Sequence, residues 1–177
     1  VISVSKPSRS SNLILLFVLF LLLKISIIFI IERLPLNNTI NIKIKLLNEN
    51  AKVPVKKHEI DIGYDLFSDN EYLLKAQSVT MVHLGISIEL PNNTGGFVLP
   101  RSGLSSKHLI APINSPGLID PGYTGELMVP LMNYSNMDYT VECNERIAQL
   151  VAINTQTINF QQVDDHDTSD RSTGGFG

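Results

Sequence analysis

The fold depends on residues 114–133, which read Asn114-Ser-Pro-Gly-Leu-Ile-Asp-Pro-Gly-Tyr-Thr-Gly-Glu-Leu-Met-Val-Pro-Leu-Met-Asn133. This pattern predicts a hairpin with a tight turn at Asp120-Pro121-Gly122, because proline presets φ and glycine accepts a positive φ. The turn would bring together the Asn114 amide, the Asp120 carboxylate and the Tyr123 ring. An amide that reads a base edge, a carboxylate that holds a water and a ring that packs on a sugar suit a nucleotide pocket. An ordinary hairpin with a loop aspartate and a half-buried tyrosine fits the same pattern.

Short alternating stretches separated by turn clusters recur from Ile40 onward. Asn41 to Leu46 alternates polar and apolar residues with the period of two that is typical of a half-buried strand. Pro100 to Ser105 predicts a strand that runs into a short helical turn. Many short strands with little helical signal predict an all-β domain, and 177 residues are enough for one.

Five short motifs follow one another through the chain at domain-sized spacing. They are Gly63-Tyr-Asp-Leu-Phe-Ser68, Pro100-Arg-Ser-Gly-Leu-Ser105, the predicted hairpin, Glu145-Arg-Ile-Ala-Gln-Leu150 and Arg171-Ser-Thr-Gly-Gly-Phe-Gly177. In these motifs the chain resembles the trimeric dUTPases (deoxyuridine 5′-triphosphate nucleotidohydrolases), and the resemblance covers residues 63–177. One such motif is a weak signal, whereas five in the family's order are specific.

The resemblance implies a distorted jelly-roll (β-clip type) domain with little helix. It also implies an enzyme that hydrolyses dUTP to dUMP and pyrophosphate, which keeps uracil out of DNA and supplies dUMP for thymidylate synthesis. Magnesium would be bound to the triphosphate. The enzyme would be a homotrimer with active sites shared between subunits.

The distribution of arginine supports a polyphosphate ligand. Of the five arginines, Arg9 and Arg33 flank an apolar segment near the start of the chain, whereas Arg101, Arg146 and Arg171 each lie inside one of the motifs. Guanidinium groups match phosphate oxygens in geometry and charge. The net charge of −3 shows no nucleic-acid footprint, so we expect no nucleic-acid partner.

By resemblance, one group of residues recognises the nucleoside and carries out the reaction. Asp120 acts as the catalytic base for the attacking water. Asn114 and its neighbours read uracil, and Tyr123 packs under the deoxyribose, where it leaves no room for a 2′-hydroxyl. Phe176 in the C-terminal motif stacks on the base. The residues assigned to uracil and deoxyribose are Asn114, Gly117, Leu118, Tyr123 and Phe176.

The resemblance implies that a second group of residues binds the triphosphate. Asp65 would contact magnesium through water, without a direct protein ligand. The phosphate-binding residues would be Arg101, Ser102, Gly103, Gln149 and Arg171. The chain departs from the usual family pattern at Asn144-Glu145, which stands in place of Gly-Asp, and at Ser172, which stands in place of glycine. Asparagine visits the left-handed conformation, so we expect the turn at Asn144 to survive.

The segment from Leu13 to Ile31 is apolar except for Lys24 and Ser26. Three interpretations remain open: a membrane anchor, a cleaved targeting segment, or an upstream extension that is a gene-model artefact. No small-residue cleavage site is visible, which argues against the second. Cys143 is the one cysteine, which fits a reducing compartment, so we expect an intracellular protein of cytoplasm or nucleus unless residues 13–31 anchor it.

These patterns divide the chain into three parts. We expect residues 1–39 to form an N-terminal extension with an apolar helical segment, residues 40–163 the β domain, and residues 164–177 a flexible lid arm. Two other functions compete with dUTP hydrolysis. The related dCTP deaminases carry a glutamate where this chain has Pro130, so deamination is disfavoured. A membrane-tethered, catalytically impaired nucleotide-binding protein of the same fold is the alternative.

Overall fold

The computed structural model describes residues 39–167, together with Phe20 and Lys24. Those two helical residues belong to a unit, Val1–Thr39, that is separate from Ile40–Gly177. The Lys24 ammonium lies 5.0 Å from the centroid of the Phe20 ring. Most of the apolar segment at 13–31 and the whole motif at 171–177 lie outside the described residues. Within the described part of the chain, no helix is long and apolar enough to cross a membrane.

The described part of the second unit consists of two four-stranded sheets, a two-stranded ribbon and one short helix. The elements are β1 (Lys43–Leu46), β2 (Tyr64–Phe67), β3 (Tyr72–Leu74), β4 (Ser78–Glu89), β5 (Thr94–Pro100), α1 (Ser102–His108), β6 (Ile110–Pro112), β7 (Gly117–Ile119), β8 (Glu126–Asn133), β9 (Tyr139–Val141) and β10 (Arg146–Asn154). The sheet orders are β1-β4-β8-β6 and β2-β10-β5-β7, and β3 pairs with β9. All of these pairings are antiparallel.

Alternation along the strands builds one apolar core. In β8, Leu127, Val129 and Leu131 are buried while the residues between them are partly or fully exposed. In the other sheet, Leu66 of β2 and Ile147 of β10 are fully buried in the same cluster. Burying a side chain of this size contributes about 1.5–3 kcal/mol, so both sheets are held by their inner faces. The all-β prediction is confirmed, as is the strand that runs into a short helix at residues 100–105.

The predicted hairpin at residues 114–133 is wrong as a strand pairing. The tight turn is present, since the Tyr123 amide donates to the Asp120 carbonyl at 3.2 Å and Gly122 has a φ of 86°. However, β7 pairs with β5 in one sheet, and β8 pairs with β4 and β6 in the other. Ile119 and Leu127 therefore enter the same core from opposite sheets, which buries both side chains. The turn connects the two sheets instead of closing a hairpin.

Candidate active site

Asp65 is the buried carboxylate at the centre of the site. It lies on β2, pairs with Gln149 of β10, and its amide donates to the Val55 carbonyl at 2.8 Å. Its neighbour Leu66 points into the core and is fully buried. Only 11% of the Asp65 side chain is exposed, so its charge requires partners.

Two arginines supply those partners. Arg101 Nε donates to Asp65 Oδ1 at 3.0 Å, and Arg146 Nη1 donates to Asp65 Oδ2 at 3.0 Å. Arg101 also donates from Nη1 to the Arg146 carbonyl at 2.8 Å, which joins the ends of β5 and β10. Both carboxylate oxygens are thus in charge-assisted hydrogen bonds, which fix the two guanidinium groups beside each other.

A β-bulge brings Arg146 to the same pocket as Gln149. The two residues are three positions apart on β10, and strict alternation would place their side chains on opposite faces of the sheet. The pairing with β2 shifts register between Arg146 and Ala148. Ile147 and Ala148 are consecutive and both fully buried, as expected where one strand carries an extra residue.

The turn that precedes Arg146 is tied down by Ser68. The buried Ser68 hydroxyl donates to the Glu142 carbonyl at 2.7 Å, and the Ser68 amide donates to the Glu145 carbonyl at 3.0 Å. Asn144 has a φ of 67°, which confirms the expectation that asparagine accepts the left-handed conformation here. The start of β10 is therefore held against the end of β2.

A phenol–carboxylate pair completes this turn. The Tyr139 hydroxyl donates to Glu145 Oε1 at 2.7 Å, and Glu145 Oε2 accepts from the Glu142 amide at 3.0 Å. Burial, and then the hydrogen bond to Glu145, raise the pKa of Tyr139 to about 12. The pair fixes the Glu145 side chain one residue before Arg146.

The residues of three motifs share one small pocket of about 170 Å³. Gln149 donates from Nε2 to the Pro100 carbonyl at 3.1 Å. A Cβ on Gly63 would lie 2.5 Å from Gln149 Oε1, so a side chain at residue 63 would displace that amide. Five predicted site residues line the pocket, namely Asp65, Arg101, Ser102, Gly103 and Gln149. The motif arginine Arg146 lines it as well.

The residues predicted to bind the nucleoside lie elsewhere in the chain. Asn114, Asp120 and Tyr123 are exposed and do not line this pocket. The Tyr123 hydroxyl donates to the Glu126 carbonyl at 2.8 Å, which holds the ring over Gly125. Gly117 is buried against Asn114 and Val98, and Leu118 is exposed. Within one chain, the predicted phosphate residues that the structure describes line this pocket, whereas the described nucleoside residues do not.

The other site residues fall into two groups: predicted residues that lie outside the described part of the chain, and pocket residues that were not predicted. Arg171 and Phe176 lie outside the described residues. Lys57 and Asp61 also line the pocket, and neither residue was predicted there from the sequence. They belong to a polar loop whose composition carries no motif, and the pairing of Val55 with Asp65 is what brings the loop to the site.

Comparison with known proteins establishes the family. A family model described as dUTPase matches residues 49–177. The chain is 44% identical over 138 residues to a deoxyuridine 5′-triphosphate nucleotidohydrolase of Clostridium acetobutylicum, which covers 78% of this chain and 95% of that protein. It is 39% identical over 136 residues to the protein of the same name from Trichodesmium erythraeum, and this match covers 77% of the chain and 96% of that protein.

Solved structures agree with this assignment. A dUTPase variant of Staphylococcus bacteriophage 80alpha with dUpNHpp has a TM-score of 0.73 at 29% identity, covering 78% of this chain and 98% of that one. A dUTPase variant from phage phi11 of S. aureus, reported with a structural Mg(II) ion, has a TM-score of 0.67 at 25% identity. This match covers 72% of this chain and 99% of that one. The chain belongs to the dUTPase family, a family of hydrolases, and the predicted family is confirmed.

Proposed function

We propose that this protein hydrolyses dUTP to dUMP and pyrophosphate. The observation that carries the proposal is the pocket in which Asp65 holds Arg101 and Arg146 beside exposed Ser102 and Gly103. Such a pocket offers fixed positive charge and unencumbered backbone to an anion, which is what a nucleoside triphosphate requires. Membership of the dUTPase family supplies the substrate.

Preorganisation is the contribution of the two arginines. Because Asp65 already orients them, they need not reorganise when charge develops on the phosphate oxygens. Gln149 adds an amide from the same face of the sheet, and its position depends on the absence of a side chain at Gly63. These groups bind and orient the triphosphate for in-line attack at the α-phosphorus.

The donor set at Asp65 fits a hydrated magnesium ion. A carboxylate has about four lone-pair sites, and the two arginines use one on each oxygen, so both oxygens can still accept hydrogen bonds from water. Magnesium retains several waters and binds largely through substrate phosphates. Asp65 would hold such waters, and the ion, when bound, would supply Lewis-acid stabilisation of negative charge on the triphosphate.

The reaction needs a base and a means of sugar selection, which we assign to the turn between β7 and β8. Asp120 is exposed at the start of that turn and would accept a proton from the attacking water. The Tyr123 ring is fixed by its hydrogen bond to Glu126 and would pack on the deoxyribose. A ribose hydroxyl pressed against that ring would be desolvated and unpaired, so UTP would bind poorly.

We further propose a homotrimer with shared sites. Asp120 and Tyr123 do not line the pocket that contains Asp65, so one chain alone does not present all of the assigned groups together. A neighbouring subunit would supply the turn to this pocket, and the C-terminal arm with Arg171 and Phe176 would close over it. Closure would exclude bulk water from the reacting phosphate.

The test is hydrolysis by the purified protein with magnesium. Release of pyrophosphate and dUMP from dUTP, with little release from UTP, dCTP or dTTP, is the expected result. Binding of a non-hydrolysable dUTP analogue without any cleavage of dUTP would instead support the impaired nucleotide-binding protein. Sedimentation would report the oligomeric state in the same preparation.

A further inference from the structure

Lys57 lies beside the pocket in a loop that backbone pairing holds against β2. Val55 forms an isolated antiparallel bridge with Asp65, and the Asp65 amide donates to the Val55 carbonyl. The bridge ties this loop to β2, and Lys57 lies two residues beyond Val55, where the chain bends. Lys57 lines the 170 Å³ pocket together with Gly63 and Asp65.

Gly63 makes room for the Gln149 amide in the wall of the pocket that Lys57 also lines. A Cβ at residue 63 would lie 2.5 Å from Gln149 Oε1, so the amide fills the space beside this glycine. Lys57 and Gln149 line the same pocket, which places an ammonium and an amide around one space.

The charges around the pocket leave Lys57 available. Asp65 is already bonded to both arginines, and Asp61 accepts a hydrogen bond from the His58 amide at 2.9 Å. Within residues 39–167, Lys57 forms no ion pair and no side-chain hydrogen bond. An exposed ammonium without a partner, next to two oriented guanidinium groups, adds positive charge where an anion would bind.

The adjacent Lys56 differs from Lys57 because its ammonium already has partners in the protein. The Lys56 ammonium lies 5.1 Å from the centroid of the Tyr64 ring and 3.5 Å from the Glu59 carbonyl. It does not line the pocket. The two lysines have the same charge and neighbouring positions, but only Lys57 lines the pocket.

From this placement we propose that Lys57 is a further phosphate-binding residue of the site, which contacts the triphosphate chain of the nucleotide. The proposal rests on the proposed function. Lysine provides a flexible, strongly charged donor, so it can follow the phosphate chain while Arg101 and Arg146 stay fixed by Asp65. The residue therefore contributes to affinity for the phosphate chain and not to recognition of the base.

The experiment compares Lys57→Gln with Lys56→Gln in the full chain. We expect Lys57→Gln to raise the Kd of a non-hydrolysable dUTP analogue, and the KM for dUTP, by roughly tenfold, as for loss of one hydrogen bond to a charged group. Lys56→Gln should leave both within about twofold of the parent, and Lys57→Arg should recover most of the affinity. The affinity of Lys57→Gln should also depend less on salt, because a screened charge pair is gone.

Titration with inorganic triphosphate separates this proposal from the proposed function. If the parent does not hydrolyse dUTP but binds triphosphate more tightly than Lys57→Gln, the phosphate-binding role stands and the proposed reaction fails. If the parent hydrolyses dUTP and the two glutamine variants have equal Kd and KM, the assignment of Lys57 is overturned. Thermal melting of each variant checks that the exposed substitution leaves the fold intact.

Discussion

Arg146 donates a hydrogen bond from Nη1 to Asp65 Oδ2 at 3.0 Å, although the two residues are 81 positions apart in the chain. The contact joins β10 to β2 at the edge of the second sheet. Arg101, which follows the end of β5, donates to the other oxygen of the same carboxylate. One carboxylate therefore fixes two guanidinium groups that would otherwise repel each other. The arrangement of the two arginines in the proposed anion-binding pocket depends on this buried charge.

Replacing Asp65 should weaken both the fold and the pocket. We expect Asp65→Asn to lower the free energy of unfolding by about 1–3 kcal/mol, because asparagine cannot accept from both guanidinium groups and leaves them partly buried without a counter-charge. Urea unfolding and binding of a dUTP analogue measure the two effects. Asp61→Asn is the matched control, since Asp61 lines the same pocket but bonds to a backbone amide. Equal stability of the two variants would contradict the role given to Asp65.

Asp120→Asn should remove hydrolysis while sparing binding. The substitution keeps the size of the side chain but removes the base, and loss of a general base lowers the rate by about 10²- to 10⁴-fold. Asp120 is exposed, so the fold should be unaffected. Single-turnover kinetics with dUTP, beside the Kd of the analogue, give the two quantities. Near-normal turnover in this variant would rule out Asp120 as the base.

Substitution of Tyr123 should relax the choice of sugar. Tyr123→Ala removes the ring that is proposed to exclude a 2′-hydroxyl, so the ratio of kcat/KM for dUTP to that for UTP should fall. Tyr123→Phe keeps the ring but loses the 2.8 Å bond to the Glu126 carbonyl, and it should retain most of the discrimination. If the alanine variant keeps the parent's ratio, the ring serves only in packing.

Stability should fall at alkaline pH through Tyr139. Its pKa is raised to about 12 in the folded protein, against 10 for an ordinary tyrosine. Between these values the unfolded chain has lost the phenolic proton while the folded protein keeps it, so this contribution is complete below pH 10 and is lost as pH rises towards 12. Unfolding by denaturant at pH 9 and pH 11 should show a smaller decline for Tyr139→Phe than for the parent. Tyr134→Phe, on an exposed ring, is the control; an equal decline in all three proteins would refute the prediction.

Deleting residues 171–177 should remove most activity without unfolding the domain. The segment has three glycines in seven residues, and one guanidinium and one ring are its functional groups. Melting without ligand should barely change, whereas stabilisation by a non-hydrolysable dUTP analogue should shrink because binding affinity feeds into stability. Arg171→Ala alone would separate loss of the charge from loss of the whole arm. Undiminished hydrolysis by the truncated protein would show that this arm is dispensable.

The sequence by itself determined the class of fold, through local alternation and turn chemistry, and five residues of the pocket, through motifs that resemble those of the family. Alternation shows which face of a strand is buried, and this held for Leu127, Val129 and Leu131. Turn chemistry is also local, so the positive φ of Asn144 and the turn at Asp120 followed from the residue types. The motif arginines were found because guanidinium groups are scarce in this chain and matched the family's spacing.

Only the tertiary structure decided which strands pair and which side chains meet. Alternation does not say which strand is the neighbour, so residues 114–133 suggested a hairpin although β7 and β8 belong to different sheets. Arg146 reaches the face of Gln149 because a bulge shifts the register, and no local pattern encodes that shift. Lys57 joins the site through the bridge between Val55 and Asp65. Pairing over long separations is set by the packing of the whole core, since each strand's inner face is satisfied only when all the others are in place.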